Sequence, residues 1–303
     1  MIIDVRCKGI EDSVAGFLKT GIEALVGRLR ERDGGIAQTV PVRLQLVDDM
    51  ASAVATAGFP APAPPATQVV GGKEGATLLV DGRLAAAAFA GDGQDLARLA
   101  HRIHLDLWQI EEAVGRAGPG VAPANALEQH LAPVVEGLWA EYAAARRAAW
   151  TLPADADLML PHLVELFEAL PPATTGDASL ALAGGDLEDL FRRSLGRVTH
   201  LMQVVGHVHG CLAGIGAPIE NLSPALAGRV SQSFLGSRWG ATGRVLAALF
   251  GSVGQWDAAF LQQTLRPEVE AAFTGLGLTL RPTDDGGLWL EPRAMPASPP
   301  GHA

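Results

Sequence analysis

The alternation of hydrophobic and polar residues predicts four short strands in the first third of the chain. Residues 2–5 form a short apolar run, and residues 41–47 alternate as PVRLQLV, which is typical of a half-buried strand. Residues 67–70 and 76–81 are two further strand candidates. We therefore expect these four strands to form a small mixed sheet.

Apolar residues that recur every three or four positions predict helices in most of the remaining chain. The clearest pattern covers residues 94–114, and we expect this helix to pack across the sheet. The other predicted helices cover residues 11–32, 125–150, 158–170, 187–212, 224–250 and 256–276, with a short one from residue 48. Pro133 is expected to kink or restart its helix, and a break is expected near Gly236.

The chain closes with a hairpin pattern. Two alternating runs within residues 278–290 flank Asp284-Asp285-Gly286-Gly287, where glycine supplies the positive φ of a tight turn. The predicted fold class is therefore α+β. We expect a zincin-like α+β domain over residues 1–150, a mainly helical region with the terminal hairpin over 151–293, and a disordered tail over 294–303.

Composition and charge limit the classes of partner that the chain is expected to bind. The chain has 303 residues, 48% of them hydrophobic, which indicates a globular protein. A net charge of −10 disfavours nonspecific binding to nucleic acid or to anionic lipid. Residues 198–219 lack Asp, Glu, Lys and Arg, but their histidines and glycines favour a buried helix over a membrane span. With no secretory signal in the first residues, the sequence predicts a soluble cytoplasmic protein.

Two helical segments carry the residues of greatest chemical interest. The first contains LAHRIHLDLW and follows the predicted strands, and the second contains LWAEYAAARRAA. This order resembles the active-site layout of zincin-type metallopeptidases, in which a sheet precedes a helix with HExxH and a later helix often supplies a Glu as third zinc ligand. The resemblance covers about residues 1–150 and rests on order and spacing.

The resemblance implies a degenerate motif. His101 matches the first zinc ligand, but Arg102 stands at the position of the general base and Leu105 at that of the second ligand. Glu141 matches the third ligand. A cation cannot accept the proton that hydrolysis requires, so we expect no zincin catalysis, no bound metal and no cofactor.

Other interpretations of these residues stay open. His104 lies at i+3 from His101, so His101, His104 and Glu141 form an alternative zinc site. Alternatively, Arg102, His101 or His104 neutralises Glu141 in the space of a lost metal. The simplest interpretation is an ordinary amphipathic helix with two histidines at its polar edge.

A second group of histidines follows in the helical region. His200, His207 and Cys211 share one helical face, with His209 beside them, and His207 and Cys211 have the i, i+4 spacing of metal ligands. The simpler interpretation is a core helix with packed histidines and a reduced thiol. His162 with Glu165 is typical of a solvated helix face. Motifs for nucleotide binding, serine hydrolysis and dithiol chemistry are absent from the sequence.

Three functional hypotheses follow. The first is a non-catalytic zincin-like protein that binds another protein or senses a ligand. The second is a metal-dependent hydrolase that uses zinc bound by His101, His104 and Glu141, or by a site built with the later histidines. The third is an α+β binding protein unrelated to zincins. Any tryptophan that the fold leaves exposed would mark a protein interface, because aromatic side chains dominate binding hot spots.

Overall fold

A computed structural model describes residues 3–36, 41–58, 66–72, 75–91, 93–115 and 123–293. The chain divides into two compact units, of which unit 1 comprises Met1–Gly118 and Ala143–Ala156. Unit 2 comprises Pro119–Tyr142 and Asp157–Ala303. The predicted tail over 294–303 lies outside the described residues.

Unit 1 contains the predicted mixed sheet. Its strands are β1 (Ile3–Lys8), β2 (Val42–Val47), β3 (Thr67–Gly72) and β4 (Gly75–Asp81). The strand order is β1-β2-β4-β3, with β1, β2 and β4 parallel and β3 antiparallel to β4. Leu44, Leu46 and Leu78 are completely buried, because alternate residues of each strand point to the same face. The prediction of a small mixed sheet is confirmed.

Helices pack against this sheet. They are α1 (Asp12–Arg32), α2 (Met50–Thr56), α3 (Gly82–Ala90) and α4 (Gly93–Gly115). The apolar stripe of α4 is buried against β3 and β4, as predicted, with Ile103 and Leu107 fully inaccessible. Helix α3 is not among the predicted elements. It begins where the carboxylate of Asp81 accepts hydrogen bonds from the backbone N–H groups of Arg83 and Leu84.

Unit 2 is mainly helical. Helix α5 (Ala126–Ala148) begins in unit 2 and ends in unit 1, where a 3₁₀ turn (Ala149–Thr151) follows it. The other helices are α6 (Leu160–Leu182), α7 (Leu187–Ile215), α8 (Ile219–Leu222), α9 (Pro224–Gln232), α10 (Gly236–Gly251) and α11 (Ala258–Gly275). The predicted break near Gly236 is confirmed between α9 and α10.

Prolines interrupt the helices of unit 2 less than predicted. Pro133 lies inside α5, so the chain does not restart there. The predicted end of α6 at residue 170 is wrong, since the helix continues through Pro171 and Pro172. Phe167 and Leu170 are buried on α6, and this packing stabilises the helix although each of the two prolines lacks a backbone N–H.

The closing hairpin packs onto unit 2. Strands β5 (Leu278–Pro282) and β6 (Leu288–Pro292) are antiparallel, and Gly286 has a φ of +82° in the turn between them. Leu278 and Leu290 are buried, and the backbone N–H of Ala126 donates to the carbonyl of Gly286 at 3.0 Å. The predicted docking of the hairpin is confirmed.

Candidate functional site

The hydroxyl of Thr151 is the centre of a polar cluster in unit 1. His101 and His104 lie on α4, and Thr151 is the last residue of the 3₁₀ turn. Nδ1 of His101 and Nδ1 of His104 each lie 3.0 Å from Oγ1 of Thr151. Oγ1 of Thr151 also lies 2.7 Å from the carbonyl oxygen of Ala148, to which it can donate. The i, i+3 spacing thus brings both histidines to one point, as predicted.

The carboxylate of Asp33, directly after α1, holds the other side of His104. Nε2 of His104 lies 2.9 Å from Oδ2 of Asp33. The indole N–H groups of Trp150 and Trp108 donate to the same oxygen at 3.0 and 3.3 Å. His104 is completely buried, whereas the Asp33 side chain keeps 16% of its exposure. Asp33, His104 and Thr151 therefore form one continuous hydrogen-bonded chain.

The protonation of His104 follows from these partners. Burial lowers the pKa of His104, Asp33 opposes that effect, and the charge of Arg32 adds to it. A neutral imidazole has a single N–H, so His104 donates either from Nε2 to Asp33 or from Nδ1 to Thr151, whose own hydroxyl proton can go to the carbonyl of Ala148.

A carboxylate, an imidazole and a hydroxyl in this order can activate a nucleophile in hydrolases. A substrate would also have to reach the hydroxyl. Here the imidazole is buried, and two surface cavities, of about 580 and 300 Å³, are lined by residues of unit 2 and do not include the Thr151 cluster. The cluster therefore joins three polar side chains by hydrogen bonds inside unit 1.

Arg102 and Leu105, which the resemblance aligns with the general base and the second zinc ligand, make structural contacts. The guanidinium of Arg102 lies 3.2 Å from Oδ1 of Asp106, and its Nε donates to Oγ1 of Thr67 on β3 at 2.9 Å. Asp106 is only 1% exposed, so Arg102 compensates a buried carboxylate. Leu105 is 2% exposed and packs in the core.

Glu141 lies beside a histidine of its own unit. Oε2 of Glu141 is 3.7 Å from Nδ1 of His207, whose Nε2 is 3.6 Å from Sγ of Cys211. Burial by itself would lower the pKa of His207, but Cys211 and Glu141 together raise it to about 10. The sequence analysis did not consider His207 as a partner of Glu141. That Glu141 meets His101 or is neutralised from α4 stays a prediction.

The remaining histidines of α7 have contrasting environments. His209 is buried and stacks on Trp239 with a centroid distance of 3.9 Å, and its Nε2 has no protein partner among the described residues. Burial lowers the pKa of His209 to about 3. His200 is exposed instead, and its Nε2 lies 3.0 Å from Nε2 of His162 on α6.

Sequence reasoning missed Asp33 and Thr151 because both look like ordinary boundary residues. Asp33 directly follows the predicted helix over residues 11–32, and Thr151 follows the one over residues 125–150, without any motif. One signal in the sequence is His104 and Trp108, since a ring that carries an N–H needs a hydrogen-bond partner when it is buried.

Comparison with known proteins gives no relative. No family model matches the chain, and neither a curated protein nor a solved structure matches it. Within the part of the chain that the structure describes, no three His, Cys, Asp or Glu residues are grouped so that they could hold a metal ion. No helix within that part is long and apolar enough to cross a membrane.

Proposed function

We propose that the chain is a cytoplasmic, non-catalytic, zincin-like protein that acts by binding another protein or a ligand. The main support for the proposal is that the side chains at and beside the motif positions make structural contacts within the protein. His101 and His104 both bind the Thr151 hydroxyl, Arg102 pairs with Asp106, and Leu105 belongs to the core.

These contacts argue against metallopeptidase chemistry. A zinc ligand must present a free nitrogen lone pair about 2.0–2.1 Å from the ion, whereas both nitrogens of His104 have partners, Asp33 at Nε2 and Thr151 at Nδ1. The general base must accept a proton, whereas Arg102 is a cation that compensates Asp106.

Exposed aromatic side chains support the binding role. Phe17 on α1 is 57% exposed, although its ring packs edge-on against Phe89 of α3 at 5.9 Å. In unit 2, Trp289 on β6 is 55% exposed. Large aromatic residues on a surface are the usual anchors of protein interfaces.

The test measures zinc content and peptide hydrolysis. It uses a chain with His162→Ala and His200→Ala, so that zinc bound by these two neighbouring histidines does not contribute to the measured content. We expect less than stoichiometric zinc and no hydrolysis above the blank, before and after incubation with Zn²⁺. Stoichiometric zinc together with hydrolysis that His101→Ala abolishes would overturn the proposal.

The alternative function is a metal-dependent hydrolase that uses His101, His104 and Glu141. Its support is the convergence of two imidazole nitrogens on one point, 3.0 Å from Oγ1 of Thr151 in each case. If zinc binds at this point, Thr151→Ala should free both Nδ1 atoms and increase zinc binding in the same assay. Unchanged zinc content in this variant favours the non-catalytic proposal.

A further inference from the structure

His162 and His200 face each other across two neighbouring helices of unit 2. Their Nε2 atoms are 3.0 Å apart, and their ring centroids are 5.2 Å apart with an angle of 56° between the rings. The His162 side chain is 39% exposed, and His200 is exposed as well. Both side chains are therefore partly in contact with solvent.

The outer nitrogen of His162 is oriented by a carboxylate. Nδ1 of His162 lies 3.5 Å from Oε2 of Glu165, one helical turn away on α6. A carboxylate on one ring nitrogen keeps the proton there and leaves the other nitrogen with its lone pair. This arrangement is characteristic of histidines that bind metals, because the carboxylate fixes the tautomer and raises the basicity of the ligand nitrogen.

The distance between the two nitrogens suits a shared ion. Two nitrogens bound to tetrahedral zinc at 2.0–2.1 Å lie about 3.3 Å apart. Two adjacent nitrogens of a square-planar Cu²⁺ site lie about 2.8 Å apart. The observed 3.0 Å falls between these values, so the separation of the two nitrogens needs to change by only a few tenths of an ångström.

We propose that His162 and His200 form a two-histidine site for a divalent transition metal, Zn²⁺ or Cu²⁺, with Glu165 as the residue that orients His162. No third His, Cys, Asp or Glu joins this pair among the described residues, so water or an external donor completes the coordination. The site is separate from the Thr151 cluster and does not depend on the proposed function.

The experiment is calorimetric titration of the full chain with ZnCl₂ and with CuCl₂. We expect one ion per chain, with affinity reduced at least about tenfold by His162→Ala and by His200→Ala, and by roughly tenfold in Glu165→Gln. His130→Ala is the matched control, since His130 is an exposed histidine of the same unit, and it should leave the affinity unchanged.

Spectroscopy with Cu²⁺ gives an independent readout. Electron paramagnetic resonance should show two bound nitrogens in the parent chain, and circular dichroism should show that each variant remains folded. Absence of binding, or binding that survives in the chain with both His162→Ala and His200→Ala, would mean that the pair is only a surface hydrogen bond.

Discussion

Nε2 of His104 lies 2.9 Å from Oδ2 of Asp33, inside unit 1 and with the imidazole completely buried. The pair joins α4 to the end of α1, which are 71 residues apart in sequence. Because each imidazole nitrogen has a partner, the ring fixes the position of α4 through directional contacts as well as through packing.

Replacing this ring should destabilise the protein. His104→Ala leaves a cavity and removes a partner from Asp33 and from Thr151, so we expect the free energy of unfolding to fall by about 2–4 kcal/mol. Urea denaturation followed by circular dichroism measures the change. The exposed His130→Ala serves as control, and a His104→Ala effect as small as that of the control would contradict a structural role for the cluster.

The sequence predicts the sheet and α4 because their patterns are strong. Alternation in β2 and the apolar stripe of α4 both arise from burial on one face, and that burial is observed. Helix α3 is short and its segment GRLAAAAFA is mostly alanine, so small side chains form its buried face and no stripe of large apolar residues marks it in the sequence. The helix begins at the hydrogen bond that the Asp81 side chain accepts from the backbone N–H of Arg83, and the spacing of apolar residues does not predict such a contact.

The candidate site is less predictable from sequence than the fold. The spacing of His101 and His104 predicts that both rings point to one side of α4. It does not predict that Thr151, about 50 residues later, provides the group between them. Contacts between residues so distant in sequence depend on tertiary packing, and a single sequence carries no periodic signal for them.

His209 should be replaceable by an apolar ring. Its Nε2 is buried without a described partner, and the imidazole stacks on Trp239, so His209→Phe removes an unsatisfied polar atom and keeps the stacking. We expect this variant to be more stable than the parent by about 1–2 kcal/mol at pH 7. Thermal unfolding measures the difference, and a loss of stability would show that the nitrogen has a partner such as buried water.

The same variant should change the response to acid. The folded pKa of His209, about 3, lies below the ordinary value of about 6.5, so the unfolded state binds more protons and stability falls as pH falls below 6.5. The loss attributable to His209 is about 2 kcal/mol at pH 5. His209→Phe should lose less stability than the parent between pH 7 and pH 5, while His104 contributes to both proteins in the same direction.

His207 should give the opposite dependence on pH. Its folded pKa, about 10, is above the ordinary value, so its contribution is complete below pH 6.5 and is lost as pH rises towards 10. Glu141→Gln removes the carboxylate 3.7 Å from Nδ1 and should reduce this alkaline loss, which we expect to be about 2–4 kcal/mol in the parent. Denaturation at pH 7 and at pH 9.5 measures it, and parallel profiles for the two proteins would contradict the pairing.

Introducing an intact HExxH motif should disrupt folding instead of creating an enzyme. Arg102→Glu replaces the cation beside Asp106 with a second carboxylate, and Leu105→His places an imidazole at a position that is 2% exposed. Loss of the compensating charge and burial of a polar ring each destabilise by about 2–4 kcal/mol. We therefore expect the double variant to unfold at lower urea concentration, without zinc-dependent peptide hydrolysis.

Arg102→Gln is the control, because it keeps a hydrogen-bond donor without adding negative charge. A stable double variant that hydrolyses peptides only with zinc would show that these positions still surround a metal site and would refute a purely structural role for Arg102 and Leu105.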